Sequence, residues 1–294
     1  MEHLNPGTKQ LLDRTDAERI RAISEYKWVG YPRATAILSR LGELLHHPPS
    51  HRMPNLLLVG ETNNGKTVIL DRFTHQYPAY VKPEAADLVV PVLTIQAPPE
   101  PDERRLYDSI LDKLAAPYRA SDRVEKKHRQ VIHLLRSVGV RMWIIDEIHH
   151  VLTGSVAKQR LFLNVIKYLS NELQIPVVGA GIREAFNVIQ SDTQLANRFE
   201  PALLPRWTLN EDYLRLLASF EVMLPLKNAS GLAYGELPVK LLSMSEGTIG
   251  EITRVLKDAA VHAIRSGDEQ ISTKTLSAIG YQSPSARKNE YKHI

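Results

Sequence analysis

The stretch that decides the fold runs from Leu56 to Thr67 and reads LLLVGETNNGKT. Its first four residues form an apolar run that predicts a short buried strand, which Gly60 ends. The other eight residues match the pattern G-x-x-x-x-G-K-[ST] in full, and a helix is predicted over residues 66–75. A strand, a glycine-containing loop and a helix in this order predict a P-loop, whose backbone N–H groups surround a chain of phosphates.

The residue types in this loop suit the phosphates of ATP. The glycines let the backbone curl so that its N–H groups point at the β-phosphate, while the Lys66 ammonium reaches the β and γ oxygens. The Thr67 hydroxyl is predicted to be a ligand of Mg²⁺. The alternative, a glycine turn with an exposed lysine, would not require the flanking strand and helix. The predicted ATP-binding residues of this Walker A motif are Gly60, Glu61, Thr62, Asn63, Asn64, Gly65, Lys66, Thr67 and Val68.

A second apolar run ends in two acidic residues, since residues 142–147 read MWIIDE. At the carboxyl end of a strand, Asp146 can hold the Mg²⁺ shell beside Thr67, and Glu147 can orient and deprotonate the attacking water. Two acids could instead cap the next helix, but the preceding P-loop favours a Walker B role. We therefore predict an ATPase with Lys66, Asp146 and Glu147 as catalytic residues and with Thr67 and Asp146 as metal ligands.

The chain around the two motifs alternates between strands and helices. Strands are predicted at 56–59, 87–95, 142–145, 175–178 and near 203–207, and the helices between them at 66–75, 106–114, 124–137 and 159–173. This alternation predicts an α/β fold with a parallel sheet that helices cover on both faces. Because one strand lies between the Walker motifs, the order fits the P-loop class whose catalytic glutamate follows the Walker B aspartate.

The end regions of the chain have a different pattern. After Trp207 only helices are predicted, which indicates a small helical domain, and they lie at 211–224, 236–245, 249–265 and 272–279. Two further helices are predicted before the first strand, at 16–27 and 32–47. The predicted division is an N-terminal arm (1–30), a nucleotide-binding core (31–209), a helical lid (210–280) and a polar tail expected to fray (281–294).

The composition excludes several kinds of site. Without cysteine the chain has no disulfide, thiolate metal site or cysteine nucleophile, which fits a reducing cytosol. Neither a secretory signal nor a run of about 18 apolar residues is evident. With 37 basic and 33 acidic residues the net charge is +4, which permits nucleic-acid binding without requiring it. The histidines at 149 and 150 are predicted to flank the site as polar groups, because further metal ligands at suitable spacing are not evident.

Two arginines are candidates for a cation at the nucleotide. ATPases of this type need positive charge where the γ-phosphate leaves, and a neighbouring subunit often supplies it. Arg198 is the first candidate, after a strand and a short helix, with a surface ion pair as the alternative. Arg254 is the second, in a helix after the turn at Gly247 that would direct it at the nucleotide across a cleft. Its alternative is an ordinary position on a helix face.

These residues resemble the TniB/TnsC family of transposition ATPases within the AAA+ class, which is related to MuB. The resemblance covers residues from about 28 to about 278 and is most specific at 52–67, where the P-loop contains a double asparagine. Other stretches that look like the family lie at 146–149, 175–181 and 197–199. One departure is that no polar residue is evident at 179–181, where the fourth core strand ends. Arg183 or a backbone group would have to replace it.

The resemblance implies an ATP-dependent, DNA-binding regulator of transposition with ATP and Mg²⁺ as cofactors. Members of the family polymerise on double-stranded DNA without sequence specificity, as a ring or a helical filament. They recruit a DDE transposase of the TniA or TnsB type, and ATP hydrolysis disassembles the polymer. A TniQ-like targeting protein, or a CRISPR effector in its place, would direct the insertion. A cytoplasmic, prokaryotic protein without membrane contact is expected.

A protein that coats DNA needs cations that meet phosphates without reading bases. A basic stretch between the Walker motifs supplies candidates, and the predicted DNA-binding residues are Arg104, Arg105, Arg119, Arg123, Lys126 and Lys127. A solvated helix face explains this stretch equally well, because Asp122 and Glu125 dilute its charge.

Two other functions fit the same motifs. A helicase-loader or initiator-like AAA+ protein would act on a replicative helicase, although no winged-helix domain is evident after residue 280. A nucleotide-gated adaptor would bind ATP and partners but hydrolyse weakly. The change Glu147→Gln distinguishes a hydrolysing switch, which would lock on DNA, from an already inactive site, which would not change.

Overall fold

The computed structural model of the chain describes residues 2–25, 27–84, 87–191 and 193–290. Its strands are β1 (Asn55–Gly60), β2 (Tyr80–Val81), β3 (Leu88–Val89), β4 (Val92–Gln96), β5 (Met142–Asp146), β6 (Val177–Gly181) and β7 (Phe199–Leu204). Its helices are α1 (Pro6–Leu11), α2 (Asp16–Ser24), α3 (Pro32–Leu45), α4 (Lys66–Gln76), α5 (Glu103–Lys113), α6 (Val124–Ser137), α7 (Val156–Leu173), α8 (Arg183–Ser191), α9 (Thr193–Ala196), α10 (Glu211–Glu221), α11 (Leu237–Ser245), α12 (Ile249–Ser266), α13 (Thr273–Ala278) and α14 (Pro284–Glu290).

The chain divides into two units, Ala36–Leu204 and a second one that joins Met1–Thr35 to Pro205–Ile294. The first unit contains a five-stranded sheet in the order β4-β5-β6-β1-β7, and every neighbouring pair is parallel. The predicted parallel α/β fold is confirmed. Because the carboxyl ends of parallel strands share one edge, the P-loop after β1 and the acids after β5 lie on the same edge of the sheet.

The two faces of the sheet pack against different helices. Side chains at alternate positions, such as Leu57, Ile95 and Trp143, form one buried core with α5, α6 and α7. The other face meets α4, and the Thr94 and Thr74 hydroxyls are 3.0 Å apart there. Burial of both faces explains why β1 and β5 are apolar along nearly their whole length rather than alternating.

Close approach accounts for the glycines in β6. A Cβ on Gly179 would lie 3.0 Å from the Ile148 Cδ1 and 3.1 Å from the Leu57 Cδ1. A Cβ on Gly181 would lie 3.1 Å from the Ile148 Cγ2. The 3₁₀ turn Ile148–Thr153, which follows the two acids, can therefore pack directly on β6 only because these positions carry no side chain.

Three predicted strands are wrong in extent. The strand expected at 87–95 is two strands, β3 and β4, because Pro91 separates them and β3 pairs antiparallel with β2. The strand expected at 175–178 is β6 at Val177–Gly181, and the strand expected near 203–207 is β7 at Phe199–Leu204. Pairing with β1 sets both registers, since Val59 lies between Gly181 and Leu203.

The second unit is helical and includes the N-terminal residues. The Asn5 N–H donates to the Val222 carbonyl over 3.1 Å, and the Lys257 ammonium donates to the Ser24 carbonyl over 3.0 Å. The described residues in 2–35 therefore pack with the C-terminal helices. The four-part division of the chain stays a prediction. Among the described residues, no helix combines the length and the apolar character needed to cross a membrane.

The tail that is expected to fray contains α14, which has no buried residue but makes polar contacts with other helices, and its fraying stays a prediction. The Arg287 guanidinium lies 2.7 Å from the Glu251 carboxylate, and the Ser285 N–H donates to Glu246 over 2.8 Å. The Tyr281 hydroxyl also donates to Glu251. These contacts connect the segment to α12 and the turn before it, and residues 291–294 lie outside the described residues.

Candidate nucleotide-binding site

The P-loop curls between β1 and α4 in the way that its sequence predicts. Asn63 has a φ of 61° and Gly65 a φ of 85°, and this left-handed backbone turns the loop round the start of the helix. Gly60 lies against β7, where a Cβ would be 3.0 Å from the Leu204 Cβ and 3.2 Å from the Leu204 carbonyl oxygen. A larger residue at position 60 would push the loop away from the sheet.

Asn64 has a role that sequence reasoning missed. Its side chain is 2% exposed, and its amide donates a 2.7 Å hydrogen bond to the Leu204 carbonyl at the end of β7. The second asparagine of the P-loop thus holds the loop against the last strand. Only the pairing of β7 with β1 brings Leu204 to this position, and no local pattern indicates it.

Lys66 lies inside the loop that it belongs to. The side chain is 5% exposed, and its ammonium donates to the Gly60 and Glu61 carbonyls, each over 2.9 Å. Burial lowers the pKa of Lys66, although the nearby carboxylates of Glu147 and Asp146 oppose this effect. The helix N-terminus, the loop N–H groups and this ammonium form a donor set that fits a triphosphate.

Thr67 and Asp146 are 79 residues apart in sequence but in contact in the structure. The Thr67 hydroxyl donates to the Asp146 Oδ2 over 2.7 Å, and the Asp146 Oδ1 accepts from the Glu147 N–H over 2.8 Å. Asp146 is 9% exposed, so its carboxylate has a fixed orientation. A hydroxyl and a carboxylate side by side are the hard oxygen ligands that Mg²⁺ takes in nucleotide sites. The donor set fits the ion that the sequence predicts.

Glu147 follows in an uncommon backbone conformation. Its φ of 54° places it in the left-handed region, where a non-glycine residue costs about 1 kcal/mol or more. The turn of the chain presents the carboxylate at the edge of the sheet, about one-third exposed, with its Oε2 3.2 Å from the His149 Nε2. His150 instead places its Nδ1 3.1 Å from the Ala97 carbonyl oxygen. Glu147, His149 and His150 thus place ligand atoms within 4.8 Å of one another, a grouping that the sequence spacing did not indicate, and their role as flanking polar groups stays a prediction.

The end of β6 carries no polar side chain beside these acids. Its residues are Gly179, Ala180 and Gly181, and Ile145 is paired with Gly179. Arg183 is exposed at the first residue of α8. The departure from the family pattern is therefore present in the structure, with close packing of the neighbouring turn as its physical reason.

Arg198 lies where the strands begin, at the edge of the sheet formed by their amino ends, which is opposite to the P-loop edge. It directly precedes β7, and the Asn55 N–H at the start of β1 donates to its carbonyl over 2.9 Å. Leu204 at the P-loop edge is six residues further along the chain, a span of about 20 Å at about 3.3 Å per residue. Its guanidinium donates to the Asn171 Oδ1 over 2.6 Å. The side chain therefore cannot serve the P-loop of its own chain.

Arg254 lies in the helical unit, on the second turn of α12. The preceding turn contains Gly247 with a φ of 74°. The Arg254 side chain is 55% exposed, lies 3.9 Å from the Asp258 carboxylate, and has its guanidinium carbon 5.9 Å from the centre of the Tyr281 ring. Its predicted role at the nucleotide stays a prediction.

The basic stretch divides into exposed residues and one buried lysine. The exposed members are Arg104, Arg105, Arg119, Arg123 and Lys126. Lys127 is fully buried, its ammonium is 2.6 Å from the Asp108 carboxylate, and it lies over the Tyr118 ring. The prediction that Lys127 contacts DNA is wrong on this geometry, because its ammonium is buried and already paired with Asp108.

Comparison with known proteins identifies the family. The family model described as "Bacterial TniB protein" matches residues 19–209, which is more than half of the chain. The chain belongs to the TniB family. This TniB-family protein is thus a P-loop ATPase of the AAA+ class that binds ATP, and its family implies a role in transposition.

Similar proteins show how widely the TniB-family fold occurs. The chain is 29% identical over 171 residues to the ATP-dependent Clp protease ATP-binding subunit ClpL of Lactococcus lactis, covering 56% of this chain but only 20% of ClpL. The Aeropyrum pernix ORC2 protein has a TM-score of 0.61 at 14% identity, over 93% of this chain and 74% of that one. The Aeropyrum pernix ORC1 protein, solved in complex with DNA, has a TM-score of 0.54 at 18% identity, over 92% and 69%. These likenesses show the AAA+ fold.

Proposed function

We propose that this ATPase assembles on double-stranded target DNA when it binds ATP with Mg²⁺, and recruits a DDE transposase to that DNA. Hydrolysis then ends the assembly and so sets where insertion occurs. The observation that carries the proposal is the position of Arg198 at the sheet edge opposite to the P-loop. From this position Arg198 would serve the nucleotide of a neighbouring copy, and a complete site would then need two subunits.

Within one subunit the residues at the P-loop edge would have separate roles in phosphate binding, metal binding and catalysis. The backbone of the loop and Lys66 would hold the phosphates, while Thr67 and Asp146 would hold Mg²⁺, which supplies charge neutralisation on the phosphate oxygens. Glu147 would orient a water and take its proton. The Glu147 carboxylate is partly exposed and turned outward by its left-handed backbone, so a water can reach it.

DNA binding is supported by charge rather than by shape. Arg104, Arg105, Arg119, Arg123 and Lys126 are exposed between the Walker motifs, and the chain has a net charge of +4. Exposed arginines and lysines bind phosphates in any sequence, as target selection without base reading requires. A TniQ-like protein or a CRISPR effector would then supply the choice of target.

Electron microscopy tests the proposed assembly. The protein is imaged with linear double-stranded DNA in ATPγS and in ADP. Rings or filaments on DNA with ATPγS, and none with ADP, are the expected result. A protein that stays monomeric and off DNA in both nucleotides would contradict the proposal and leave the ATPase assignment intact.

A mixing experiment tests whether Arg198 acts between copies. Arg198→Ala subunits keep Glu147, and Glu147→Gln subunits keep Arg198, so neither alone should hydrolyse ATP. In an equal mixture, about a quarter of the head-to-tail contacts join an intact Glu147 to an intact Arg198, and activity should return to about that fraction. Arg160→Ala, which changes an exposed arginine on α7, is the control and should keep full activity. A mixture no more active than its parts would exclude action between copies.

A further inference from the structure

A cavity of about 760 Å³ opens at the edge of the sheet where β1 and β7 begin. It is lined on one side by residues 52–55 and on the other by residues 196–201. Arg198, the proposed cation for a neighbouring copy, is one of two arginines in this lining, and Arg52 is the other. The proposed function uses only Arg198.

The charge in this cavity is unbalanced. The acid in the lining, Glu200, accepts from the Arg40 guanidinium over 2.5 and 3.1 Å, so its charge is already compensated. Arg198 donates to the neutral amide of Asn171. Within the described parts of the chain, no carboxylate lies within 4 Å of the guanidinium of Arg52 or of Arg198. Two cations therefore share one concave surface without an acid of their own, which favours an anion from outside the chain.

The loop that carries Arg52 is held firmly beside Arg198. Met53, the next residue, is 2% exposed, and its sulfur accepts from the Ser50 N–H over 3.3 Å. Asn55 is 4% exposed, donates its N–H to the Arg198 carbonyl, and accepts the Val177 N–H on its side-chain oxygen over 2.8 Å. Contacts on both sides of Pro54 fix the loop, so the backbone position of Arg52 does not depend on contacts made by its own side chain.

We propose that Arg52 is a second cation that this edge supplies, together with Arg198, to the phosphates of ATP bound by a neighbouring copy. The inference rests on the proposed action of Arg198 between copies. A concave surface with two guanidinium groups matches the crowded charge at the end of a triphosphate, which planar donor pairs bind well. A DNA backbone could also supply phosphates, and the experiment separates the two sources.

The experiment measures ATP hydrolysis by the full chain at saturating DNA for Arg52→Ala, Arg52→Lys and the control His51→Ala. His51 is exposed in the same turn but does not line the cavity. Losing a charge-assisted contact should raise the KM for ATP about 10- to 100-fold in Arg52→Ala. Arg52→Lys keeps the charge and should lie between Arg52→Ala and the unchanged protein, while His51→Ala should not differ from it. Mixing Arg52→Ala with Glu147→Gln subunits should restore a low KM, because the intact Arg52 then comes from the neighbour.

Three outcomes would overturn the inference alone, and a fourth would overturn the proposed action between copies as well. If Arg52→Ala keeps its KM while Arg198→Ala loses activity, the second cation is wrong and the function stands. If Arg52→Ala weakens DNA binding equally in ADP and ATPγS with no change in KM, the cavity meets DNA phosphates instead. If the Arg52→Ala defect is not relieved by mixing, Arg52 acts within its own chain. If neither Arg198→Ala nor Arg52→Ala changes hydrolysis, the proposed action between copies fails as well.

Discussion

Replacing Glu269 by glutamine tests the buried ion pair that holds α2 in the helical unit. The Arg19 guanidinium is 1% exposed and donates to the Glu269 carboxylate, to the Pro225 carbonyl over 2.7 and 3.2 Å, and to the Asp16 carboxylate over 3.0 Å. Lys227 lies 3.0 Å from the same Glu269 carboxylate. Glu269 directly follows the turn that ends α12, so the pair joins α2 to the helix that carries Arg254.

The pKa of Glu269 sets the magnitude and its pH dependence. Burial would raise this pKa, but hydrogen bonds from Arg19 and Lys227 outweigh it and lower the pKa from 4.5 to about 2. A gap of about 2.5 units corresponds to about 3 kcal/mol of stability at neutral pH. Because the folded pKa lies below the unfolded value, this contribution is complete above about pH 4.5 and is lost as the pH falls towards 2. About 2 kcal/mol of this contribution to stability should be lost by about pH 3.

Glu269→Gln should therefore cost about 3 kcal/mol at pH 7, since it leaves a buried guanidinium without its carboxylate, and about 1 kcal/mol at pH 3. Urea unfolding at both pH values measures this in a Trp143→Phe background, where the fluorescence of Trp28 and Trp207 follows the helical unit. Glu211→Gln, in an exposed pair, is the control and should cost under about 0.5 kcal/mol. A cost for Glu269→Gln that is the same at pH 7 and pH 3 would refute the reasoning.

Three further predictions concern the ATPase unit and the turn before α12. Glu147→Gln should keep ATP affinity but slow phosphate release at least about 100-fold, and a near-normal rate would exclude it as the base. Lys127→Met should lower the melting temperature, because it removes a buried ion pair. Arg119→Ala should leave the melting temperature unchanged and reduce the salt slope of DNA binding by about 1. The reverse pattern would show that Lys127 does contact DNA. Gly247→Ala should destabilise by more than about 1 kcal/mol in thermal melting, because its φ is 74° and a Cβ would lie 2.5 Å from a backbone carbonyl oxygen. Gly267→Ala, with a φ of 79° and no atom within 4 Å, should cost less, and an equal cost would show that the clash contributes nothing.

Local patterns predicted the helices better than the strands. Helix α6 begins and ends where its periodicity indicates, at Val124 and Ser137. The last two strands were displaced by about two to four residues, since Gly179 and Gly181 lack strand propensity and β7 contains Pro201. A helix satisfies its hydrogen bonds within its own residues, but the extent of a strand depends on the neighbour that it pairs with.

In the candidate site, too, the local features could be predicted from the sequence and the long-range contacts could not. Each Walker motif is contiguous, so residue types and their spacing are enough to identify Lys66, Thr67, Asp146 and Glu147. The contact of Asn64 with the end of β7 was not evident, because its partner is 140 residues away. The sequence does not distinguish Lys127 from the exposed cations beside it, because its burial against Asp108 depends on how α5 packs on α6.

The chemistry of this protein follows from local sequence: a P-loop, a Walker B pair and an alternation of strands and helices that belongs to an ATPase. These features are local, because a phosphate loop and a strand end need only neighbouring residues to form. The edge of the sheet that each group occupies depends instead on the tertiary structure. Parallel pairing of β1 with β7 places the P-loop at one edge and Arg198, with Arg52, at the other. That separation is a property of strand order, which no single stretch of the chain encodes, and under the proposed function it is the reason that a complete site needs a second copy.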